Sequence, residues 1–298
     1  MKAQQVAVIG GGWAGLAAAV TATQAGHHIT LFEAARHWGG RARSVDPDSA
    51  TTSATAASTR NPLKHQLDNG QHILIGAYTD TLALLRSIGI RLNSVLHRMP
   101  LTLLYPDGNG LRLSHWPAPL NLLTGILSAR GWTLADKTAL LNTARTWQRA
   151  GFTCPDSLTV AALCQNLPDT IRQQLMEPLC LSALNTPPER ASAQVFLRVL
   201  QDALMAGRGS SNLLLPRTDL SQLLPTPAAL WLEQHGTQLR PGQRVQTLER
   251  AVGQWQINGA AFDTAILATP ASVACQLLQE LLNKTRSQNA APDAEMQR

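Results

Sequence analysis

At 298 residues, with 44% hydrophobic and only 15% charged side chains, the chain can bury a sizeable core, in two domains or one discontinuous pair, and it is too apolar to be a disordered protein. A net charge of +6 and a pI near 9.6 suit anionic partners such as cofactor phosphates or lipid head groups, but no basic run carries interleaved aromatics, so nucleic acid is set aside. No apolar stretch reaches the roughly eighteen residues of a membrane span, and Met1-Lys2 runs straight into an apolar strand without room for a signal peptide; the expected place is the cytoplasm, soluble or peripherally attached to the inner membrane.

Val6-Ala7-Val8-Ile9 is a short apolar run opening into glycines, as suits a strand buried on both faces of a parallel sheet. Gly10, Gly12 and Gly15, with Trp13 and Ala14 between them, have the G-x-G-x-x-G spacing. The first glycine allows a tight turn, the second lets a pyrophosphate approach the backbone, and the third lets helix and strand pack closely. Ala14 to Ala25 reads as a helix whose first turn offers unpaired N–H groups to a diphosphate, and Gly26 ends it. Ile29 to Phe32 is a second strand. Glu33, followed by Ala34, stands at its carboxyl end, where a carboxylate accepts hydrogen bonds from ribose hydroxyls and disfavours a 2′-phosphate. The expected fold is α/β, with a discontinuous Rossmann-like dinucleotide-binding domain and a mainly helical second domain.

Gly39-Gly40-Arg41-Ala42-Arg43 separates a nicotinamide site from a flavin site, because a nicotinamide-binding unit needs nothing special after the acidic residue. The motif resembles that of the flavoprotein superfamily of amine oxidases and carotenoid desaturases. The resemblance implies FAD, with Gly39 and Gly40 along its diphosphate and ribityl chain and Arg41 in a charge-assisted contact to phosphate. Residues Ser49 to Thr59, all Ser, Thr and Ala, read as a low-complexity surface insertion. The turn Asp68-Asn69-Gly70-Gln71-His72 follows. The same resemblance puts Asn69, Gly70, Gln71 and His72 beside the flavin ring, with His72 and Asp68 as candidate proton donors and Glu177 as an outside candidate.

Thr79 to Ile88 has apolar residues at helical spacing and closes on Gly89; Leu101 to Leu113 reads as a β-hairpin around Pro106-Asp107-Gly108-Asn109-Gly110. The stretch from Pro117 to Trp132, apolar with a basic end, reads equally as a core helix or as a segment lying on a membrane. Thr133–Trp147, Leu158–Leu167 and Asp169–Leu184 complete a helical layer, halted by Pro187-Pro188 and restarted with an acid in the first turn. Thr226–Gly236 is a further helix; Arg244–Leu248 and Phe262–Pro270 read as strands, and the last helix ends near Leu282. The four cysteines lack C-x-x-C spacing and sit in apolar surroundings, as buried reduced thiols do.

Leu184-Asn185-Thr186-Pro187-Pro188-Glu189-Arg190-Ala191, with Leu67–Ile75, Met99–Leu103 and Asn212–Leu220, resembles a narrower family: the squalene-associated FAD-dependent hydroxysqualene dehydroxylases of bacterial hopanoid biosynthesis. The resemblance spans Val6 to Pro270. It implies an FAD-binding domain in two parts, 1–98 and 236–282, around a substrate domain, 99–235, with Val245 near adenine and 283–298 as a disordered tail. Relatives continue for a further segment, so the chain reads as C-terminally truncated. The implied reaction is reductive dehydroxylation of hydroxysqualene to squalene, with reduced FAD as hydride donor and an external reductant. Alternatives are an oxidative polyprenoid desaturase or amine oxidase on the same scaffold, or an inactive remnant or interaction subunit.

Overall fold

The computed structural model describes residues 2–45, 67–70, 72–251 and 253–290; the predicted insertion at Ser49–Thr59 and the predicted site residue Gln71 lie outside them. Contacts divide the chain into two compact units, one of Met1–His72, Leu82–Val95 and Pro216–Arg298, the other of Ile73–Thr81 and Leu96–Leu215.

The first unit is built on a four-stranded parallel sheet. β1 (Gln5–Ile9) lies between β2 (His28–Glu33) and the strand Thr264–Leu267, and Gln238–Pro241 pairs with the outer edge of β2. β1 and β2 are joined by α1 (Trp13–Gln24), which covers one face of the sheet with Leu16, Ala19 and Val20, all fully buried. Ala7 and Ile9, one period-two set of β1, point the other way. With Phe32 they pack on Val245, Leu248, Ile257 and Phe262, and on Leu277 of the helix Ala271–Ala290. Much of that second layer is a three-stranded antiparallel sheet of Leu248–Ala251, Gln254–Ile257 and Ala260–Phe262. The rings of Phe32 and Phe262 meet edge to face at 6.1 Å.

The second unit is mainly helical. Leu120–Ser128, Leu134–Arg149, Glu177–Leu184 and Ala193–Met205 enclose a core that includes Ile126, Leu140, Ile171, Cys180 and Phe196. Thr133 and Asp136 form a reciprocal capping box at the start of the second of these helices. Asn185 adopts a left-handed conformation (φ 47°) after Leu184, so the chain turns out of the helix before Pro187.

Several boundaries differ from the sequence reading. Residues 216–235, expected in the second domain, group with the first unit, and the helix expected to end near Leu282 runs to Ala290. The strand expected over Arg244–Leu248 begins only at Leu248: Asn258 Oδ1 accepts from the N–H groups of Gln246 and Thr247, and its Nδ2 donates to the Arg244 carbonyl, so one side chain replaces a strand partner. Phe262–Pro270 is broken at Asp263, whose carboxylate accepts from the Gln5 N–H at 2.8 Å and ties the corner to β1. That bond is the main reason the Asp263 carboxyl is held below its usual range. The continuous helix expected from Asp169 is interrupted by a π-helical turn at Arg172–Met176, and the helix expected to restart with an acid begins at Ala193, capped by the Ser192 hydroxyl.

The cysteines split. Cys164 and Cys180 are buried, Cys154 is half-buried and Cys275, expected inside, is exposed on the final helix. Burial pushes the Cys164 thiol up to about 12 and raises Cys180 as well, so neither supplies thiolate near neutral pH. Thiol titration of the native protein at pH 8 is therefore expected to modify Cys275 first and to reach Cys164 and Cys180 only after denaturant. Rapid labelling of Cys164 in native buffer would contradict this core.

Candidate nucleotide-binding site

A cavity of about 740 Å³ opens in the first unit beyond the carboxyl ends of β1 and Thr264–Leu267. The chain leaves β1 toward β2 on one side, while the other neighbour of β1 arrives from far along the sequence. Strand order therefore reverses here, which opens a crevice in parallel sheets of this kind.

The three glycines of the motif have three different local reasons. Gly10 has φ 112°, its N–H donates to the Phe32 carbonyl at 2.8 Å, and a Cβ on it would lie 2.5 Å from the Ala268 carbonyl oxygen. Gly15 faces inward, where a Cβ would stand 1.7 Å from the Gly10 carbonyl oxygen. Gly12 differs, with ordinary extended geometry (φ −73°) and nothing nearer its missing Cβ than Gly40 Cα at 4.0 Å. Its missing side chain leaves room on the cavity wall. Gly12 is also the N-cap of α1, so no side chain satisfies the first N–H groups of that twelve-residue helix, and no acidic residue sits in its first turn.

Glu33 closes the far side. Its Oε2 accepts from the Gly11 N–H at 2.6 Å and its Oε1 from the Ala35 N–H at 2.8 Å. Each oxygen keeps lone-pair capacity for a hydroxyl of a ligand. The loop after β2 is held to the glycine turn by the Gly39 N–H donating to the Gly11 carbonyl at 2.8 Å and by Trp13 Nε1 donating to the Ala42 carbonyl at 2.9 Å.

Of the predicted site residues, Gly10, Gly12, Trp13, Ala14, Glu33, Ala34, Gly39, Gly40, Arg41 and Val245 line the cavity. Gly15 supports it from behind. Asp68, Asn69, Gly70 and His72 are in the same unit but are not among the lining residues. Asn69 pairs with the glycine-arginine loop, its Nδ2 donating to the Arg41 carbonyl and its Oδ1 accepting from the Arg43 N–H at 3.0 Å. Asp68 accepts from the Leu220 N–H at 2.9 Å and from the Ser44 hydroxyl at 2.9 Å. His72 Nδ1 donates to the Gly70 carbonyl at 2.9 Å, since a carbonyl can only accept.

Lining residues missed in the sequence include Gln243, Arg244, Ala268, Thr269 and Pro270. The hydroxyl of Thr269 is buried without a partner. The available signal was position: Ala268 to Pro270 end a strand beside β1. Gln243 gave none, since it is placed by the pairing of Gln238–Pro241 with β2 and by its own N–H donating to the Glu33 carbonyl at 2.9 Å. Among the described residues no group of His, Cys, Asp and Glu is arranged to hold a metal ion.

The glycine crossover, the acid at the end of β2 and the separate helical unit give the architecture of the two-unit flavoproteins. The chain belongs to the flavin containing amine oxidoreductase family, whose model matches residues 13–295; the family is one of flavin-dependent oxidoreductases. Among curated proteins it is 28% identical to a hydroxysqualene dehydroxylase of Sinorhizobium fredii, over 95% of this chain and 65% of that protein, and 23% identical to a zeta-carotene desaturase of Synechocystis, over 88% and 54%. The chain thus spans somewhat under two thirds of the length of the curated relatives it matches. Solved structures of similar fold include an oxidoreductase from Methanosarcina mazei (TM-score 0.60, 16% identity, 88% of this chain and 58% of that one) and a putrescine oxidase variant (0.57, 17%, 90% and 58%).

Gly12 and Gly15 make opposite predictions. Gly15→Ala forces a methyl into the Gly10 carbonyl and is expected to cost about 1–3 kcal/mol or more in urea unfolding. Gly12→Val should cost about 1 kcal/mol or less, as a poorer N-cap residue in open space, while obstructing the cavity. Equal destabilisation by both would contradict these assigned roles.

Proposed function

We propose that the first unit binds FAD in this cavity and that the chain serves as a flavin-dependent oxidoreductase on an apolar, polyprenoid-type substrate. The observation that carries the reading is the cavity at the strand-order reversal, where the uncapped start of α1, the open wall at Gly12, and Glu33 and Arg41 come together. Gly10, Gly12, Trp13 and Ala14 would hold the diphosphate, Glu33 and Ala34 the adenosine ribose, and Val245 the adenine. Gly39, Gly40 and Arg41 would follow the diphosphate and ribityl chain, with Asn69, Gly70, Gln71 and His72 toward the flavin ring. Arg41 adds charge-assisted recognition, and Thr269 offers a hydroxyl that has no protein partner. FAD, when bound, supplies two-electron hydride chemistry.

The finer reading is reductive removal of the allylic hydroxyl of hydroxysqualene to give squalene. Three curated relatives of that name, 25–28% identical, support it. Loss of an allylic hydroxyl needs a proton delivered to the oxygen and exclusion of water from the carbon framework. His72 and Asp68 are our candidates for the proton. Because the family match and two desaturase relatives concern the wider scaffold, an oxidative polyprenoid desaturase or amine oxidase is the second reading. The two differ in the co-reactant: dehydroxylation needs an external reductant, oxidation an electron acceptor.

Titration of FAD into the purified chain is expected to quench flavin fluorescence to a stoichiometric end point, and Gly12→Val is expected to weaken binding at least about tenfold. A chain that stays colourless in excess FAD would overturn the cofactor reading and leave a protein-interaction role. Given binding, squalene formed from hydroxysqualene under anaerobic reducing conditions supports dehydroxylation, whereas turnover only of saturated polyprenes or amines with an oxidant supports the second reading.

A further inference from the structure

The segment from Pro117 to Trp132 reads as a core helix or a membrane-lying one, and the structure gives it both faces. Helix Leu120–Ser128 buries Asn121, Gly125 and Ile126. Gly125 fixes that orientation, because a Cβ there would lie 2.6 Å from Leu113 Cδ2, so the helix cannot roll to hide its other side. Leu120, Leu123 and Leu127, spaced by three and four residues, consequently face outward with exposures of 43%, 38% and 55%. Trp116 just before the helix is 60% exposed, and Leu134 beyond it 79%. Thr124, on the same turn, bonds back to the Leu120 carbonyl at 2.8 Å and to the Ser114 hydroxyl, so little polar capacity breaks the stripe.

The surrounding charge is mainly cationic, with Asp107 of the hairpin turn, bonded to Asn109, as the one exposed acid beside it. From Gly108 to Ala135 the sequence has no Asp or Glu, while it carries Arg112 and Arg130. Both arginines are exposed, and the backbone bridge between Gly110 and Arg130 brings their two segments together beside the helix. Lys137 donates to the Leu127 carbonyl at 2.9 Å and so places its ammonium at the end of the stripe, while the neighbouring Asp136 is buried in its capping box.

We propose that this face docks on an anionic lipid surface, with Trp116, Leu120, Leu123, Leu127 and Leu134 entering the head-group and acyl boundary and Arg112, Arg130 and Lys137 meeting lipid phosphates. An apolar stripe at helical spacing, an exposed indole and a rim in which three cations outnumber the one exposed acid, Asp107, fit a monotopic contact rather than a span. Among the described residues no helix is long and apolar enough to cross a membrane. The proposal does not depend on the redox reading, because it needs neither FAD nor substrate.

The test is co-sedimentation of the chain with vesicles of phosphatidylcholine alone and of phosphatidylcholine mixed with phosphatidylglycerol. Binding is expected to the mixed vesicles, to weaken as salt rises, and to shift tryptophan emission to the blue in a way that Trp116→Phe removes. The double substitution Leu123→Glu with Leu127→Glu should lower the partition at least about tenfold, and Arg130→Gln about fivefold. These side chains are exposed, so unchanged circular dichroism and thermal unfolding are expected and separate lost docking from lost folding. No binding to the mixed vesicles, equal binding by the double variant, or a dimer on size exclusion that the double variant abolishes would each overturn the proposal, the last by assigning the face to a second copy of the chain.

Discussion

The first unit depends on how closely helix α1 approaches the sheet. Gly15 lies against the Gly10 carbonyl and Gly10 against the Ala268 carbonyl, both nearer than any Cβ allows. This double contact fixes where α1 begins and aims its unsatisfied N–H groups across the ends of β1 and its neighbour. A methyl at either glycine would push helix or strand away and move those groups off the cavity. Gly12, between them, is spared by the protein and left open to the cavity.

Loops from distant parts of the chain are then gathered by hydrogen bonds to backbone groups. The loop after β2 is tied at Gly39 and Trp13, and the segment 242–245 at Ala35 and Glu33. Glu33 adds two further ties with its own carboxylate. It holds the glycine turn through Gly11 and its own loop through Ala35, so its orientation is set by the backbone before any ligand is present. Replacing it with glutamine would leave one oxygen acceptor where two donors now point, weakening the turn as well as the recognition of a ribose.

The second unit is organised around a different constraint. Its core cluster is fed by the four helices together with Leu111 and Leu113 of the hairpin and Ile171, Leu175 and Met176 around the π turn, and the faces left over are apolar in places where a self-contained soluble domain usually carries charge. Gly125 is the informative residue: by pressing one face of its helix against Leu113, it commits Leu120, Leu123 and Leu127 to the outside. Burial and exposure on this helix are therefore the same decision.

The sequence by itself determined the crossover, because strand, glycines, helix, strand and acid are local and in order, and each residue type answers a need within a few positions along the chain. It also determined the helical character of the second unit and the hairpin at Leu101–Leu113. Only the tertiary structure decided that Arg244–Thr247 is held by Asn258 instead of by a strand, that Gln243 and Thr269 border the cavity, that Asp68 and Asn69 are engaged with Leu220 and the arginine loop, and which side of Leu120–Ser128 faces out. The physical reason is common to all four. Periodicity and turn chemistry report on neighbours along the chain, whereas these features depend on which backbone groups and which close packings distant segments present where they meet.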